Sequence, residues 1–412
     1  MDDSSDPNVA ELIARLREKN LRLFVAATGA GSGIQDALWL IPGCSSFFVG
    51  AVFPYAQHET DNFLGFKPEK YCSPETAMDL AMTAYMRACD GSDAEPIGLG
   101  LTASVASLTE HRGDHRVHVT VVTSKGAFAA NLTLRKGVGL EQRMSDGEAA
   151  DAAGLALILG AAGVMEMPED VENVTEQALD QFMKRPYFDA EGRRKTESEI
   201  DMKRVSLFPG AFNPPHPGHF GMAQKLWATK VAFNITTNPP HKDALGLGEI
   251  LRRAVLLKGY HRFFTKGVPL YIEKARRWPG VRMLIGVDAV VRMLDPKWGP
   301  EIEPMLAEFA QLKTCFVVFG RLIDEKFVTM FDVYDRIPEK YHHLFSTIEG
   351  RWDISSSEIR AGRLSPGEAK QIGREVHEIF EEARAASAEM GRKLDEASVA
   401  RARGVRTGDG NA

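Results

Sequence analysis

The spacing of apolar residues in the first part of the chain predicts alternating helices and strands. Residues 6–20 place apolar side chains at helical spacing after an Asp-Pro step, and residues 21–27 follow as a compact apolar strand. Further apolar runs predict strands at 48–53, 97–101, 117–123 and 128–134, and helices at 75–89 and 149–162. The pattern therefore predicts a first α/β domain over residues 1–165.

A second alternating pattern begins after a charged interval. Residues 166–203 lose a steady period and predict a linker with one short helix. Apolar runs then predict strands at 205–208, 231–236, 282–285 and 315–319, with helices between them. We expect a Rossmann-like, doubly wound parallel sheet over residues 204–365. Residues 366–412 predict a C-terminal helix to 403 and a frayed tail.

Composition and charge narrow the function classes. The 412 residues are 44% hydrophobic and 26% charged, which is ordinary globular composition with length for two domains. The formal net charge of -6 gives no global field for a nucleic acid or an anionic membrane. We therefore expect a small-molecule site, with no nucleic-acid or membrane partner.

The spacing of the cysteines and the composition of the N-terminus bear on where the protein is located in the cell. Four cysteines lie far apart without metal-ligand spacing, at Cys44, Cys72, Cys89 and Cys315. The N-terminus is acidic where a secretory signal is basic, and no apolar run reaches membrane-spanning length. These features predict a soluble cytoplasmic protein, and they leave a homo-oligomer open.

The segment from Gly210 to His219 carries the most legible chemistry. It reads Gly-Ala-Phe-Asn-Pro-Pro-His-Pro-Gly-His after a predicted strand, with a helix expected to start near Gly218. A helix N-terminus at a rigid turn suits a phosphate, because its backbone N–H groups face the ligand. His216 and His219 are three residues apart, so both imidazoles can donate hydrogen bonds to one ligand oxygen. The structural alternative is a proline-rich turn with incidental histidines.

This segment resembles the (G/T)xFxPxHxGH signature of the nucleotidyltransferase superfamily. The matching positions are Gly210, Phe212, Pro214, His216, Gly218 and His219. The resemblance implies a Rossmann-like fold of the HxGH type and the transfer of a nucleotidyl group. It assigns catalysis to the two histidines and ATP binding to Gly210, Phe212 and Gly218.

A second motif lies about 140 residues downstream. Residues 354–360 read Ile-Ser-Ser-Ser-Glu-Ile-Arg, in which Ser355 and Glu358 predict a capping box at a helix start. The structural alternative is a capped helix and nothing more. The segment resembles the superfamily's ISSTxIR signature, which implies a polyphosphate seat formed by Ser355, Ser356, Ser357 and Arg360. The resemblance also places Arg360 among the catalytic residues.

Two further features suggest the acceptor. Residues 237–242 resemble the PPHK loop of bacterial nicotinate-mononucleotide adenylyltransferases, and residues 282–298 resemble that family's strand ending in Gly-x-Asp with a downstream tryptophan. The resemblance assigns the mononucleotide pocket to Asn213, His241, Lys242, Asp288 and Trp298. The structural alternatives are an exposed lysine and a buried core tryptophan.

The resemblance implies direct in-line attack of a mononucleotide 5′-phosphate on the α-phosphorus of ATP. Pyrophosphate leaves, Mg²⁺ enters with ATP, and protein groups only position the reactants and neutralise charge. ATP and a pyridine mononucleotide are the expected partners. Whether the acceptor is the nicotinamide or the nicotinate form rests on one or two hydrogen bonds and stays open.

A glycine-rich stretch at 26–33 follows the first predicted strand, and Ser45 and Tyr55 come after it. In this order the N-terminal part resembles the CinA C-terminal family, whose members include nicotinamide-mononucleotide deamidases. Aligned without gaps, the family's nucleophilic serine falls on Thr28. The ligand-site residues implied by the resemblance are Thr28, Gly31, Ser45 and Tyr55. The family's lysine falls on Thr60, which cannot act as a base. We therefore expect a retained fold used for ligand binding, regulation or subunit contact, with deamidation as the alternative.

The sequence leaves two rival functions open. One keeps the transferase but changes the acceptor to pantetheine phosphate, or the donor to CTP with an alcohol phosphate. The other is a nucleotide-binding regulator that is catalytically silent in both halves. The 237–242 loop argues against the first rival, and the complete set of His216, His219 and Arg360 argues against the second.

Overall fold

The structure is a computed structural model of the chain. It describes residues 8–89, 91–110, 112–226, 230–239, 243–295, 301–323, 326–351 and 354–362. The predicted C-terminal helix and tail lie outside these residues. The chain divides into two compact units, unit 1 with residues 1–200, 236–258 and 262–269, and unit 2 with residues 201–235, 259–261 and 270–412.

The helices and strands alternate along both units. The helices are α1 Val9–Ala14, α2 Ser32–Trp39, α3 Gln57–Leu64, α4 Pro74–Ala88, α5 Gly139–Ala161, α6 Thr175–Lys184, α7 Pro217–Lys225, α8 Leu247–Leu256, α9 Tyr271–Arg277, α10 Val287–Met293, α11 Ile302–Gln311 and α12 Ser356–Arg360. The strands are β1 Leu21–Thr28, β2 Phe48–Val52, β3 Glu95–Ser104, β4 Arg116–Thr123, β5 Gly126–Thr133, β6 Glu172–Asn173, β7 Tyr187–Phe188, β8 Arg194–Lys195, β9 Val205–Pro209, β10 Lys230–Thr236, β11 His261–Thr265, β12 Arg282–Gly286, β13 Cys315–Phe319, β14 Arg321–Ile323, β15 Lys326–Val328 and β16 Phe345–Ile348.

Unit 1 is built on a mixed sheet with the order β2-β1-β3-β4-β5-β6. Strand β1 pairs in parallel with β2 and β3, whereas β3 to β6 form antiparallel neighbours. Helix α4 packs closely on β3 because that strand carries two glycines. A Cβ atom on Gly98 would lie 2.1 Å from the Tyr85 nitrogen, and one on Gly100 would lie 2.2 Å from the Ala77 oxygen. These glycines therefore set the spacing between helix and sheet.

Residues 166–203 contain more structure than the predicted linker with one short helix. The helix is present as α6, but β6 extends the sheet of unit 1, and β7 pairs with both β8 and β11. A buried ion pair of 3.1 Å joins Arg194 of β8 to Asp79 of α4. The Arg194 guanidinium also donates to the carbonyl of Phe182 at 2.8 Å. This segment is therefore anchored to the core of unit 1.

In unit 2, parallel strands follow the order β16-β13-β12-β9-β10. From β9 the chain passes to β10 on one side and later returns to β12 on the other side. The order thus reverses between β9 and β12, which in open α/β sheets is where ligands bind, at the carboxyl ends of the strands. The segments after Pro209 and after Gly286 follow the two strands that flank this point.

The structure confirms the predicted α/β class, with a mixed sheet in unit 1 and parallel strands in unit 2. It places β13 at the predicted residues 315–319, and it adds β11, β16 and the β14–β15 hairpin, which the sequence pattern did not indicate. Helix α5 begins ten residues before the predicted start. Within the described residues, no helix combines the length and apolar character needed to cross a bilayer.

Candidate active site

The turn between β9 and α7 is held from both ends. The Gly210 N–H donates to the Asn234 carbonyl of β10 at 3.0 Å, and the bond between Asn213 and Pro214 is a cis peptide bond. His216 is the N-cap residue of α7 and has extended backbone angles. The turn therefore projects from the carboxyl end of β9 directly into a helix N-terminus.

A cluster of aromatic rings packs against this turn. The Phe212 ring is 2% exposed, and its centroid lies 5.2 Å from that of Phe208, 5.0 Å from Phe233 and 4.9 Å from His219. A Cβ atom on Gly210 would lie 2.6 Å from the Phe212 ring, so only glycine fits there. Phe212 is predicted to bind ATP. Its side chain packs against the ring of His219 within this cluster, and its ATP-binding role stays a prediction.

The two histidines form a stacked pair. Their ring centroids are 3.7 Å apart, and the ring planes differ by 28°. The His216 backbone N–H donates to Nδ1 of His219 at 3.2 Å, which assigns the proton of a neutral His219 ring to Nε2. His216 is 0% exposed, and neither of its ring nitrogens has a hydrogen-bond partner among the described residues. A buried imidazole without a partner indicates a ligand position.

Both imidazoles are neutral at pH 7. Burial, assisted by the positive charge of Arg321, lowers the pKa of His216 to about 4. Burial also lowers the pKa of His219, and the neighbouring His216 and Arg321 act in the same direction. The pair can therefore donate N–H groups to a ligand, but it supplies no net positive charge.

The serine-rich motif lies directly on this turn. The Ser356 hydroxyl donates to the Pro214 carbonyl at 2.8 Å. Arg360 donates to the Asn213 carbonyl and, at 3.2 Å, to the Ser357 hydroxyl. The structure thus brings together two motifs that are about 140 residues apart in the sequence.

The remaining predicted ATP-binding residues lie around these contacts. Ser355 is half-buried just before α12, Ser357 is exposed, and Gly218 is buried in the first turn of α7. Arg360 is exposed, with its guanidinium on the turn's backbone. The side chain of Glu358, the partner in the predicted capping box, lies outside the described part of the chain.

Asp288 lies at the neighbouring strand end. It is in the first turn of α10, directly after β12, and forms ion pairs with Arg292 at 2.8 Å and Arg321 at 3.7 Å. A Cβ atom on Gly286 would lie 2.4 Å from Asp288 Oδ1, so glycine leaves the space for this carboxylate. Of the other predicted mononucleotide residues, Asn213 lies in the turn, where its carbonyl accepts a hydrogen bond from Arg360. His241, Lys242 and Trp298 lie outside the described residues.

Arg321 is a site residue that the sequence analysis missed. It follows β13 after Gly320, pairs with Asp288 and lowers the pKa of both histidines by its charge. An arginine two residues beyond a predicted strand is a usable signal, since the carboxyl ends of parallel strands lie at one edge of the sheet. Without the strand order, that signal had no connection to His216.

The predicted N-terminal site has a different arrangement. The hydroxyls of Thr28 and Thr60 both donate to the carbonyl of Pro54, at 3.1 Å and 2.8 Å. Tyr55, the next residue, is 70% exposed, and its hydroxyl accepts a hydrogen bond from Arg143 at 3.3 Å. The positions of the family's serine and lysine are thus joined through one backbone oxygen.

The other two predicted residues of this site are less connected. Gly31 is the N-cap residue of α2 with φ of 96°, and a Cβ there would lie 2.9 Å from that of Ala27. Ser45 is exposed, and among the described residues it forms no hydrogen bond with Thr28 or Tyr55. Across the described part of the chain, no group of three or more His, Cys, Asp or Glu side chains could hold a metal ion.

The fold and these sites describe a two-part α/β protein, and comparisons with known proteins identify similar proteins for both parts. No family model matches the chain. A CinA-like protein of Thermosynechococcus vestitus is 30% identical over 138 residues, which are 33% of this chain and 28% of the relative. A probable nicotinate-nucleotide adenylyltransferase of Shouchella clausii is 50% identical over 50 residues, which are 11% of this chain and 26% of the relative.

Solved structures also match part of this chain. A CinA superfamily protein from Enterobacter cloacae matches 39% of this chain and 98% of its own, with 18% identity and a TM-score of 0.31. The competence/damage inducible protein CihA from Agrobacterium tumefaciens matches 39% of this chain and 99% of its own, with 20% identity and a TM-score of 0.30.

The chain thus joins a CinA-like N-terminal part to a region similar to nicotinate-nucleotide adenylyltransferases. It spans only about a quarter of the length of each curated relative.

Proposed function

We propose that unit 2 transfers the adenylyl group of MgATP to the 5′-phosphate of a pyridine mononucleotide and releases pyrophosphate. One observation carries this proposal: the serine helix α12 is hydrogen-bonded to the turn that presents the stacked His216 and His219. This contact joins a polyphosphate-type seat to a pair of imidazole donors at the sheet's ligand-binding edge.

The reaction needs no covalent enzyme intermediate. An oxygen of the acceptor 5′-phosphate attacks the α-phosphorus of ATP, and the bond from that phosphorus to the α,β-bridging oxygen breaks. A phosphoanhydride forms, and the electron pair leaves with pyrophosphate. The chain's own residues orient the reactants and stabilise the charge that develops on phosphate oxygens.

The neutral histidines suit this role. Nε2 of His219 carries the proton, because Nδ1 accepts from the His216 backbone. His216 has two unpartnered ring nitrogens among the described residues, one of which is a donor in any neutral tautomer. Donors fixed in place before the ligand arrives cost little reorganisation during the reaction.

The pyridine acceptor is supported by similarity. One relative is by name a probable nicotinate-nucleotide adenylyltransferase, and another is CinA-like. The 237–242 loop and Asp288 add the resemblances noted in the sequence. Deamidation of nicotinamide mononucleotide yields the acid that a nicotinate-type transferase consumes, so a fusion of these two parts favours pyridine nucleotides.

For unit 1 we propose ligand binding without hydrolysis. Both Thr28 and Thr60 donate their single hydroxyl proton to the Pro54 carbonyl. A hydroxyl nucleophile needs a base that accepts this proton, and a backbone carbonyl is not one. The unit then serves the chain as a binding or regulatory part.

The test incubates the purified full chain with MgATP and each candidate acceptor in turn. The acceptors are nicotinate mononucleotide, nicotinamide mononucleotide and pantetheine phosphate, and a further arm uses CTP with an alcohol phosphate. Pyrophosphate, dinucleotide and ammonia are measured together. We expect pyrophosphate and dinucleotide in equal amounts with a pyridine mononucleotide, and no ammonia.

Two variants complete this experiment. His219→Ala should abolish most pyrophosphate release, and His58→Ala should leave it unchanged, because His58 is 76% exposed in unit 1. If product forms only with pantetheine phosphate or with CTP, the proposal that the acceptor is a pyridine mononucleotide is wrong. If the chain binds ATP but releases no pyrophosphate with any acceptor, the function is that of a nucleotide-binding regulator and not of a transferase.

A further inference from the structure

Arg321 occupies an unusual position at the edge of the parallel strands. It begins β14 just after β13, in the loop region where the ends of β13, β12 and β9 are adjacent. Its Nε atom lies 3.7 Å from Oδ1 of Asp288, which follows β12. The residue therefore stands beside the histidine turn without belonging to either sequence motif.

The Arg321 guanidinium has unused hydrogen-bonding capacity. Its side chain is only 23% exposed, and within the described residues its polar contact is the ion pair with Asp288, which is too long for a hydrogen bond. A guanidinium carries five N–H donors in a planar fork that matches phosphate oxygens. Removing such a group from water without hydrogen bonds costs free energy, so the arrangement favours an anionic ligand.

A second, independent observation points to the same place. His216 is fully buried, and both its ring nitrogens are unpartnered among the described residues. The charge of Arg321 acts on this imidazole and on that of His219. Because both rings are neutral, a phosphate bound to them still needs a cation close by.

Arg360, the arginine of the second sequence motif, is bonded to the turn itself in the structure. Its guanidinium is exposed and is bonded to the Asn213 carbonyl and the Ser357 hydroxyl. Those contacts fix helix α12 on the turn. Among the described side chains, Arg321 is the cation that affects both histidines.

We propose that Arg321 is the phosphate-binding arginine of this site, with Asp288 as the residue that positions it. Its guanidinium binds an anionic phosphate oxygen of the substrate that contacts His216 and His219. The identity of the substrates rests on the proposed function, whereas the binding of a phosphate anion does not. Both ATP and the mononucleotide carry this chemistry, so the test must separate them.

The local packing holds Arg321 in place. The absent Cβ of Gly286 leaves room for Asp288 and for the stem of Arg321, whose Cγ would lie 3.2 Å from such a Cβ. On the other side, a Cβ on Gly320 would lie 2.5 Å from the Phe327 ring, so glycine lets the β14–β15 hairpin close. Asp288 is also paired with Arg292, which shares the carboxylate.

Arg292 provides the matched control. It binds the same carboxylate at 2.8 Å, but its side chain is 64% exposed, and its charge is not a cause of the histidine pKa shifts. A variant that merely disturbs Asp288 should behave alike at both positions. A phosphate-binding role should appear at Arg321 alone.

The experiment measures binding by calorimetry to the full chain and to Arg321→Gln, Arg321→Lys and Arg292→Gln. The probes are inorganic pyrophosphate, ATP and nicotinate mononucleotide, each tested separately. We expect Arg321→Gln to weaken at least one probe by about 10- to 100-fold, the range for a lost charge-assisted hydrogen bond. Arg321→Lys should recover part of the loss, and Arg292→Gln should stay within about threefold of the wild type.

The pattern of losses identifies the phosphate. If only pyrophosphate and ATP bind more weakly, Arg321 contacts the polyphosphate of ATP. If only the mononucleotide binds more weakly, Arg321 contacts the phosphate of the acceptor. Equal binding of all probes by wild type and Arg321→Gln overturns the proposal, as does an equal loss in Arg292→Gln. The two proposals can fail separately. If the wild type binds pyrophosphate through Arg321 but forms no dinucleotide, the phosphate-binding role of Arg321 stands and the proposed transferase function is wrong.

Discussion

Nδ1 of His219 accepts a hydrogen bond from the backbone N–H of His216, while the two rings stack with centroids 3.7 Å apart. One imidazole therefore has two functions at its two nitrogens. Nδ1 accepts a hydrogen bond at the start of helix α7, which leaves the proton of the neutral ring on Nε2 as a donor. These two functions can be separated by substitution.

His219→Asn should separate them, because the asparagine amide oxygen can take the place of Nδ1 but no group replaces Nε2–H. We expect kcat for adenylyl transfer to fall by about 10²-fold or more in both His219→Asn and His219→Ala. Only His219→Ala should also lose the cap, at about 0.5–2 kcal/mol in the free energy of unfolding. Steady-state kinetics and urea unfolding measure the two effects. Equal stability of the two variants would contradict the capping role.

The buried His216 predicts a pH-dependent stability. Its pKa in the folded chain is about 4, below the ordinary 6.5. Between these values the unfolded chain binds a proton that the folded chain does not, so the free energy of unfolding decreases as pH falls. The free energy of unfolding is unaffected by His216 above about pH 6.5. It decreases between about pH 6.5 and pH 4, by up to about 3 kcal/mol in total.

His216→Gln should therefore show a shallower loss of stability across this window. Some slope should remain, because the pKa of His219 is lowered as well. Chemical unfolding at several pH values between 4 and 7 measures the difference. Parallel curves for the wild type and the variant would show that His216 is accessible to protons in the folded state.

The hydrogen bond from Ser356 to the Pro214 carbonyl joins helix α12 to the histidine turn, so its removal should affect ATP binding. Ser356→Ala should loosen helix α12 from the histidine turn and raise KM for ATP by about three- to tenfold, the range for one neutral hydrogen bond. Ser145→Ala, an exposed serine of α5 in unit 1, is the control. A fall in kcat with an unchanged KM would argue that the helix acts on the transition state alone.

Two glycines of the same helix should respond in opposite directions. In α5, a Cβ atom on Gly147 would meet nothing within 4 Å, whereas one on Gly154 would lie 2.3 Å from Cδ1 of the buried Ile34. Gly147→Ala should stabilise unit 1 by about 0.5–1 kcal/mol through helix propensity. Gly154→Ala should destabilise it by about 1–3 kcal/mol through overpacking. Thermal unfolding of the two variants side by side tests both, and a shared sign would refute the packing argument.

The sequence predicted the elements whose pattern is local. Strand β13 is a continuous apolar run, and its predicted bounds agree with the structure. Strand β16 was missed because Ser346 and Thr347 lie exposed in a four-residue element, which leaves little apolar signal. The first ten residues of α5 were missed because glycines and charged residues dilute the helical period there.

The candidate site divides in the same way. Both motifs were recognisable because each is contiguous in sequence, and the structure brings them together through Ser356 and Pro214. The core position of the Phe212 ring could not be predicted, because a signature does not show which side of a turn a side chain takes. Arg321 was missed because its relation to His216 depends on the strand order β13-β12-β9.

The contact between Ser356 and Pro214 joins residues 142 positions apart. During synthesis, the histidine turn leaves the ribosome long before the helix that binds it, and a loop of this length must close before the two can meet. For that interval the nascent chain carries the histidines without their serine partner. Assembly of this site is therefore a late event in folding, and a ribosome stalled before codon 356 would display a unit that contains both histidines and cannot yet complete the site.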